Sequence, residues 1–208
     1  MTPTLHTIGS TKFLRIPRFL PEEVRNDLFH TACANQEMFQ PRQAPGIEAS
    51  ETSHWPTLME GVLDRSGPIG DAIGVLGDHI KRILPIIFES LGTVPFSIEQ
   101  VPLELIHGRN GHSSSPHQDS SDGVYQVSLL YYFHKIPKAF CGGDLEIFES
   151  DQNAMEGYKR DPVTTVTHED NLLLAFPSET FHGVTEVQCN STEFADGRFT
   201  AVGFLGRN

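Results

Sequence analysis

The stretch SPHQDSSDGVYQVSLLYYF, residues 115–133, changes character halfway along. Its first half is polar and turn-forming, whereas its second half is rich in Val, Leu, Tyr and Phe and is typical of a buried β-strand. His117 and Asp119 lie two positions apart just before this strand. Because alternate side chains of an extended segment point to the same side, both could reach one metal ion. The stretch therefore predicts a strand that begins beside a pair of candidate metal ligands.

Further strand-like segments follow one another from residue 96 onward. They are rich in β-branched and aromatic residues and are separated by Gly, Pro, Asn, Asp or Ser. Many short strands with turns between them predict an antiparallel sandwich or barrel rather than a parallel α/β sheet. The segments are FSIEQVPLELIHG, GGDLEIFES, VTTVTHE, NLLLAFP, HGVTEVQ and RFTAVGFLGR.

The N-terminal part of the chain is predicted to be more helical. Apolar residues recur at helical spacing over residues 20–39 and again over residues 69–92. Gly92 suits the end of the second helix, and Pro85 predicts a kink or a break inside it. Two helices are therefore expected to support the sheet.

Two other N-terminal segments are less regular. Residues 10–18 are predicted as a short strand, and residues 40–68, rich in Pro, Gly, Ser and Thr, as irregular. Trp55 in the irregular segment is interpreted either as part of a lid or as a core residue. Together the patterns predict one mainly β domain, in which a helical support region (residues 1–95) packs on a β core (residues 96–208).

Composition limits the classes of partner. Of the 208 residues, 38% are hydrophobic and 20% are charged, which is typical of a globular protein. The net charge of −12 disfavours binding to nucleic acid or to anionic membranes. The three cysteines form no C-x-x-C pair, which predicts a reducing compartment. No apolar run has the length of a signal-peptide core near the start or of a membrane span elsewhere, so we expect a cytoplasmic protein. The sequence leaves the oligomeric state open.

A second histidine and an arginine complete a candidate site. His182 lies beside a short apolar segment in AFPSETFHGVTEV. Two imidazoles and one carboxylate on one side of a metal form the facial triad of non-haem Fe(II) oxygenases. Arg198 opens the last strand, where its guanidinium could pair with the distal carboxylate of 2-oxoglutarate, and Thr200 points to the same side. An H-x-D pair alone is a weak signal, because 10 histidines and 27 acidic residues make chance pairs common.

The order of five motifs strengthens the interpretation. HQD, VSLLYYF, GGDLEIF, LLLAFPSETFHGV and GRFTAVGF follow one another over residues 97–207. In this respect the chain resembles the iron(II)/2-oxoglutarate-dependent dioxygenases, particularly their prolyl-4-hydroxylase-like branch. The resemblance implies a double-stranded β-helix, the cupin-like jelly roll, with its site in the open mouth. It also implies Fe(II), 2-oxoglutarate and O2 as cofactor and cosubstrates, with ascorbate as a supporting reductant.

The resemblance assigns roles to individual positions. The iron ligands would be His117, Asp119 and His182. Tyr132 would donate its hydroxyl to the carboxylate bound by the arginine, and two apolar residues would wall the same pocket. The implied cosubstrate-binding set is Arg198, Thr200, Tyr132, Leu145 and Val202.

Three features qualify these roles. The turn between His182 and Arg198 is longer than in many relatives, and Arg207 at the far end of the same strand is a weaker rival for the anchor. The carboxylate of Asp119 favours hydroxylation over halogenation, since halogenating relatives carry a small residue there. Four other histidines near strand ends are interpreted as packed or solvated side chains rather than ligands. They are His107, His112, His134 and His168.

The predicted function is hydroxylation of an unactivated C–H bond in a small molecule of amino-acid or secondary-metabolite type, with release of succinate and CO2. One alternative is hydroxylation of a prolyl or other residue in a protein. Another is a non-catalytic metal-binding β-sandwich, and a lesser one is a cupin-like metalloenzyme that uses no 2-oxoglutarate. The predicted partners are thus a small substrate, with no nucleic acid and no membrane.

Overall fold

The computed structural model describes residues 2–41, 59–62, 66–120 and 123–207. Its central strands are buried along most of their length, because both of their faces are covered. Two α-helices cover one side of the strands, α1 (Glu22–Ala34) and α2 (Gly67–Leu91). The strands within the described ranges are β1 (Thr4–Ile8), β2 (Thr11–Pro17), β3 (Phe39–Pro41), β4 (Met59–Val62), β5 (Leu103–Gly108), β6 (Ser114–His117), β7 (Tyr125–Phe133), β8 (Leu145–Ile147), β9 (Thr164–Val166), β10 (Leu172–Pro177), β11 (His182–Val184) and β12 (Arg198–Gly206).

The strands form two antiparallel sheets. The major sheet has the order β1-β2-β10-β7-β12-β5-β4-β3, and the minor sheet has the order β6-β11-β8-β9. Apolar side chains of the two sheets meet in one cluster that includes Leu130 and Leu174 from the major sheet and Leu145 and Ile147 from the minor sheet. The predicted mainly β jelly roll is confirmed.

Strand β7 shows how the sequence separates two faces. Leu129, Tyr131 and Phe133 belong to the core that the major sheet shares with the helices. Leu130 and Tyr132 point the other way, into the space between the sheets. This follows from the two-residue period of a strand, and it places alternate residues of β7 in the cavity that holds the candidate site.

Helix α2 packs an apolar stripe on the outer face of the major sheet. Its buried residues recur every three or four positions, and Gly92 ends it in the left-handed conformation (φ 74°). The helix continues through Pro85, so the break that the sequence suggested does not occur. Leu84 and Ile87 on either side are buried in the core, and this packing compensates for the hydrogen bond that proline cannot donate.

Other N-terminal elements differ from the sequence-based expectation. The helix expected over residues 20–39 ends at Ala34, where Asn35 leaves the helical conformation and its side-chain amide donates to the carbonyl of Thr31 at 2.7 Å. Phe39 then enters the core as the start of β3. The strand expected over residues 10–18 is β2, and it pairs with a strand that the sequence analysis missed, β1.

The first 95 residues thus contribute strands as well as helices. β2 pairs with β10, and β4 pairs with β5, so the N-terminal segments extend the major sheet at both edges. The irregular segment expected over residues 40–68 includes one strand of this extension, β4. Trp55 lies outside the described residues. Neither helix in the described part of the chain has the length and hydrophobicity needed to cross a bilayer.

Candidate metal centre

The three predicted metal ligands converge at the edge of the minor sheet. His117 on β6 and His182 on β11 are directly opposite each other, and their ring centroids are 4.4 Å apart. Asp119 is the second residue after the end of β6. One of its carboxylate oxygens lies 3.6 Å from Nε2 of His117, and the other lies 3.5 Å from Nε2 of His182. Candidate ligand atoms of all three residues lie within 4.8 Å of one another.

Backbone carbonyls orient both imidazoles. Nδ1 of His117 is 2.9 Å from the carbonyl oxygen of Ser115, and Nδ1 of His182 is 2.9 Å from that of Thr180. A carbonyl can only accept, so each Nδ1 carries the proton in this arrangement and each Nε2 presents its lone pair. Both Nε2 atoms therefore lie on the side of Asp119, where one ion could contact all three residues.

A pair of serines holds the carboxylate of Asp119. Its Oδ2 accepts a hydrogen bond of 2.6 Å from the Ser128 hydroxyl, which lies 2.9 Å from the hydroxyl of Ser178. The N–H of Asp119 donates to the carbonyl of Ser178 at 3.0 Å. These serines were not among the predicted site residues, although a hydroxyl residue inside the apolar run VSLLYYF, Ser128, was a usable signal.

The electrostatics favour an ionised carboxylate. Burial by itself would raise the pKa of Asp119, but its interactions with His117, His182 and Ser128 outweigh burial and lower it. Burial lowers the pKa of His182. Burial acts in the same sense on His117, but the neighbouring Asp119 raises its pKa overall. An anionic carboxylate beside two imidazoles suits a divalent cation of intermediate softness such as Fe(II).

A buried guanidinium lies deeper between the sheets. Arg198 is only 3% exposed, and its Nε donates to the carbonyl of Gly143 at 2.8 Å. The guanidinium carbon is 5.3 Å from the centre of the Tyr132 ring. Gly143 has a φ of +69°, and a Cβ there would lie 2.6 Å from Cδ of Arg198, so a larger residue would displace the arginine.

Two hydroxyls beside Arg198 have no protein partner. Thr200 and Tyr132 are opposite each other on β12 and β7, and both hydroxyl oxygens are buried without a hydrogen bond. Burial raises the pKa of Tyr132 to about 12, although Arg198 opposes the shift, so the phenol keeps its proton. Unsatisfied buried donors are costly, and two of them next to an arginine fit an anionic ligand such as a carboxylate.

Apolar residues line the space between the metal ligands and the arginine. Ser128, which holds Asp119, and Tyr132 are four residues apart on β7, a span of roughly 13 Å along a strand. Leu130 lies between them and faces Val202 on β12. Leu145 of β8 is fully buried in the same cluster.

All eight predicted site residues thus project between the two sheets. Arg207, the rival anchor, is exposed at the end of β12. The long turn before Arg198 contains a short 3-10 helix, Phe194–Asp196, whose carbonyl at Phe194 accepts from Nε2 of His107 at 2.9 Å. Phe194 of the inserted turn packs against the core shared with the helices, and the start of β12 is paired with Gly108.

Comparisons with known proteins give consistent results. Residues 103–206 match the model of the 2OG-Fe(II) oxygenase superfamily. Over 211 aligned residues the chain is 26% identical to an uncharacterised PKHD-type hydroxylase of Synechocystis sp., an alignment that covers 98% of this chain and 67% of that protein.

Solved prolyl hydroxylases share the fold. The Trichoplax adhaerens prolyl hydroxylase, in complex with a hypoxia inducible factor oxygen degradation domain peptide fragment, has a TM-score of 0.67 at 15% identity, covering 93% of this chain and 83% of that one. A Pseudomonas putida prolyl-4-hydroxylase has a TM-score of 0.61 at 18% identity, covering 94% and 92%. At these identities the similarity concerns the fold.

Proposed function

The chain belongs to the 2OG-Fe(II) oxygenase superfamily, and we propose that it hydroxylates an unactivated C–H bond, using Fe(II), O2 and 2-oxoglutarate and releasing succinate and CO2. The observation that carries the proposal is the convergence of three ligand side chains, with ligand atoms within 4.8 Å of one another, in a fold that also buries Arg198 between its two sheets. Membership of this enzyme family and the complete ligand set argue against a non-catalytic sandwich.

Different side chains would bind the metal and the cosubstrate. Nε2 of His117, Nε2 of His182 and the carboxylate of Asp119 would hold Fe(II), which supplies the O2 chemistry when bound. Because the protein would supply only three ligands, the cosubstrate and O2 could also bind at the metal. The ligands are held in place by the carbonyls of Ser115 and Thr180 and by the Ser128 hydroxyl.

The deeper pocket would bind 2-oxoglutarate. Arg198 would pair with its distal carboxylate, and the hydroxyls of Tyr132 and Thr200 would donate to the same group. This assignment gives partners to two hydroxyls that have none in the protein. Leu145 and Val202 would contact the methylene groups of the cosubstrate and exclude water from them.

Two classes of substrate are proposed, in order of preference. We propose a small molecule of amino-acid or secondary-metabolite type, bound in the mouth of the jelly roll beside the metal ligands. A prolyl residue of a protein is the second candidate, and the structural similarity to prolyl hydroxylases favours it. A panel of free amino acids and proline-containing peptides would separate the two.

Cosubstrate turnover tests the proposal. The purified protein is incubated with Fe(II), ascorbate, 2-oxoglutarate and the substrate panel, and succinate is measured with and without ascorbate. Succinate should form with the wild-type protein and fall by at least two orders of magnitude in the Asp119→Ala and His182→Ala variants. Arg198→Ala should raise the KM for 2-oxoglutarate by a similar factor without changing the affinity for Mn(II).

Two results would refute the assignment. If Mn(II) affinity were the same in the wild-type protein and Asp119→Ala, the three residues would not be a metal site. If Arg198→Ala had the wild-type KM for 2-oxoglutarate, the arginine would not be its anchor, and a cupin-like reaction without this cosubstrate would become the better interpretation.

The cytoplasmic location stays part of the proposal. Cys33, Cys141 and Cys189 carry free thiols. Free thiols agree with a reducing compartment, where an oxygenase with an Fe(II) centre would also keep its metal reduced.

A further inference from the structure

One buried histidine lies beside the arginine pocket without belonging to the predicted set. His112, in the loop between β5 and β6, is only 4% exposed. Its ring lies over Gly108, because a Cβ on that glycine would be 2.3 Å from Nδ1 of His112. Gly108 is directly opposite Arg198 in the pairing of β5 with β12. The imidazole therefore occupies the place of a side chain next to Arg198, on the face that looks between the sheets.

The arginine is thus flanked on both sides. Tyr132 lies on the β7 side and His112 on the β5 side, while Thr200 is the next residue of β12 that faces the cavity. Nδ1 of His112 is buried and has no hydrogen-bond partner, as is true of the hydroxyls of Tyr132 and Thr200. Three polar atoms without partners therefore surround one guanidinium.

Backbone hydrogen bonds fix the position of the histidine. The N–H of His112 donates to the carbonyl of Arg109 at 3.0 Å, and its own carbonyl accepts from the N–H of Val187 at 2.8 Å. The N–H of Gly111 donates to the carbonyl of Val187 at 2.7 Å. The loop is thereby attached to the segment after β11, which fixes the main chain that carries the ring.

The imidazole is neutral. Burial, followed by the charges of Arg198 and His107, lowers the pKa of His112 to about 3. A neutral ring carries one N–H, which makes it a donor that adds no second positive charge to the pocket. A rigid neutral donor beside an arginine is well suited to a carboxylate that the arginine already neutralises.

We propose that His112 binds the distal carboxylate of 2-oxoglutarate, donating a hydrogen bond from Nδ1 to the group held by Arg198. This inference rests on the proposed function and deepens it. From the sequence, His112 was interpreted as a packed or solvated side chain, because nothing in its surroundings indicates that the chain folds it back over Gly108. Its role would be to add affinity and selectivity for a dicarboxylic cosubstrate.

The experiment compares two ligands on four proteins. Mn(II)-loaded wild type, His112→Leu, His112→Asn and His107→Leu are titrated by calorimetry with 2-oxoglutarate and with 2-oxopentanoate, which has the same chain length but no distal carboxylate. Asn can place an amide N–H near the position of Nδ1. His107 is the matched control, because it is also buried on β5 but packs against Phe194 on the helix side of the sheet.

His112→Leu should weaken the binding of 2-oxoglutarate about 10- to 100-fold, the range expected for the loss of a hydrogen bond to a charged group. The affinities of this variant for 2-oxopentanoate and for Mn(II) should stay within twofold of the wild-type values. His112→Asn should recover part of the loss, and His107→Leu should bind both ligands as the wild type does. Gly108→Ala should reproduce the effect of His112→Leu, since a Cβ would push the ring away.

The outcomes separate this inference from the proposed function. If wild type bound 2-oxoglutarate and Arg198→Ala did not, but His112→Leu bound it normally, only the role of His112 would be rejected. Equal losses for both ligands would show that His112 merely packs the pocket, and would reject the role as well. A wild-type protein that did not bind 2-oxoglutarate with Mn(II) would reject the proposed function and this inference together.

Discussion

A single hydroxyl in the middle of β7 connects the sheet to the candidate metal ligands. Ser128 is fully buried between apolar neighbours, and its Oγ donates to Asp119 at 2.6 Å. The bond fixes the rotamer of a carboxylate whose two oxygens face two different imidazoles. Groups that orient metal ligands in this way commonly contribute as much as tenfold to a hundredfold in metal affinity.

We therefore expect Ser128→Ala to weaken Mn(II) binding about tenfold, because the carboxylate loses the donor that orients it. Isothermal titration of the apoprotein measures the effect. Ser191→Ala is the matched control, since that hydroxyl bonds Asp196 in the turn before β12. Unchanged Mn(II) affinity in Ser128→Ala would show that the hydroxyl does not position the ligand.

The residues that carry chemistry differ in how readily the sequence reveals them. His117, Asp119 and Arg198 stand out because their spacing and order match a known arrangement. His112 does not, since its relation to Arg198 depends on a loop folding back over Gly108. Neighbours of that kind are far apart or out of period in the sequence, so no local pattern indicates them.

At the scale of elements, one arginine connects helix α1 to the sheet. Nε of Arg25 donates to the carboxylate of Asp170 at 2.9 Å, and its Nη2 also contacts Asp170 and the carbonyl of His134. Asp170 in turn accepts from the N–H of His134 at 3.1 Å. The cluster joins the helix to the start of β10 and to the end of β7, the strand that carries Tyr132 of the candidate cosubstrate pocket.

Arg25→Ala should lower the free energy of unfolding by about 3 kcal/mol, because it leaves a largely buried carboxylate and a carbonyl without their donor. Urea unfolding followed by circular dichroism measures the loss, and Arg25→Lys should restore part of it. Arg82→Ala on the exposed side of α2 is the control and should change stability by less than about 0.5 kcal/mol. A loss of that small size in Arg25→Ala would mean that the cluster contributes nothing measurable.

Most strands after residue 100 were predictable because they have a clear apolar pattern and flanking turn residues. Strand β6 was not, since its sequence SSPH is polar. Strand β1 was not, since most of its residues are exposed at the edge of the sheet. One local signal was present, because Gly9 and Ser10 form a two-residue turn between Ile8 and Thr11, with φ +59° at Gly9. The helix break suggested by Pro85 was wrong, since α2 continues through this residue. Packing of α2 on the sheet outweighs the local preference of proline.

For the whole molecule, a distinctive feature is the number of histidines that the two cores keep neutral. Burial is the largest cause that lowers the pKa of His107, His112, His134 and His168, and it brings that of His112 to about 3. In the unfolded chain each imidazole would titrate near 6.5. Below that pH the unfolded state therefore binds more protons than the folded state, and acid favours unfolding.

Acid is therefore expected to destabilise the folded protein. These neutral histidines make their full contribution to the free energy of unfolding above about pH 6.5. The contribution is lost as the pH falls toward their pKa values in the folded protein, by up to about 1.4 kcal/mol per pH unit for each group. His117 acts in the opposite sense because its pKa is raised, but it is one group against five, since burial also lowers the pKa of His182. We expect the net free energy of unfolding of the metal-free protein to decrease from pH 7 to pH 5.

Urea titrations at pH 5, 6, 7 and 8 in the presence of a chelator test this expectation. His112→Asn removes one titrating group, so its stability should fall less steeply than that of the wild type between pH 6.5 and pH 5, even if it is lower at pH 8. His30→Asn, at an exposed position of α1, is the matched substitution for comparison. Parallel slopes for wild type and His112→Asn would show that His112 can take up a proton in the folded protein, which would contradict a ring held neutral against Arg198.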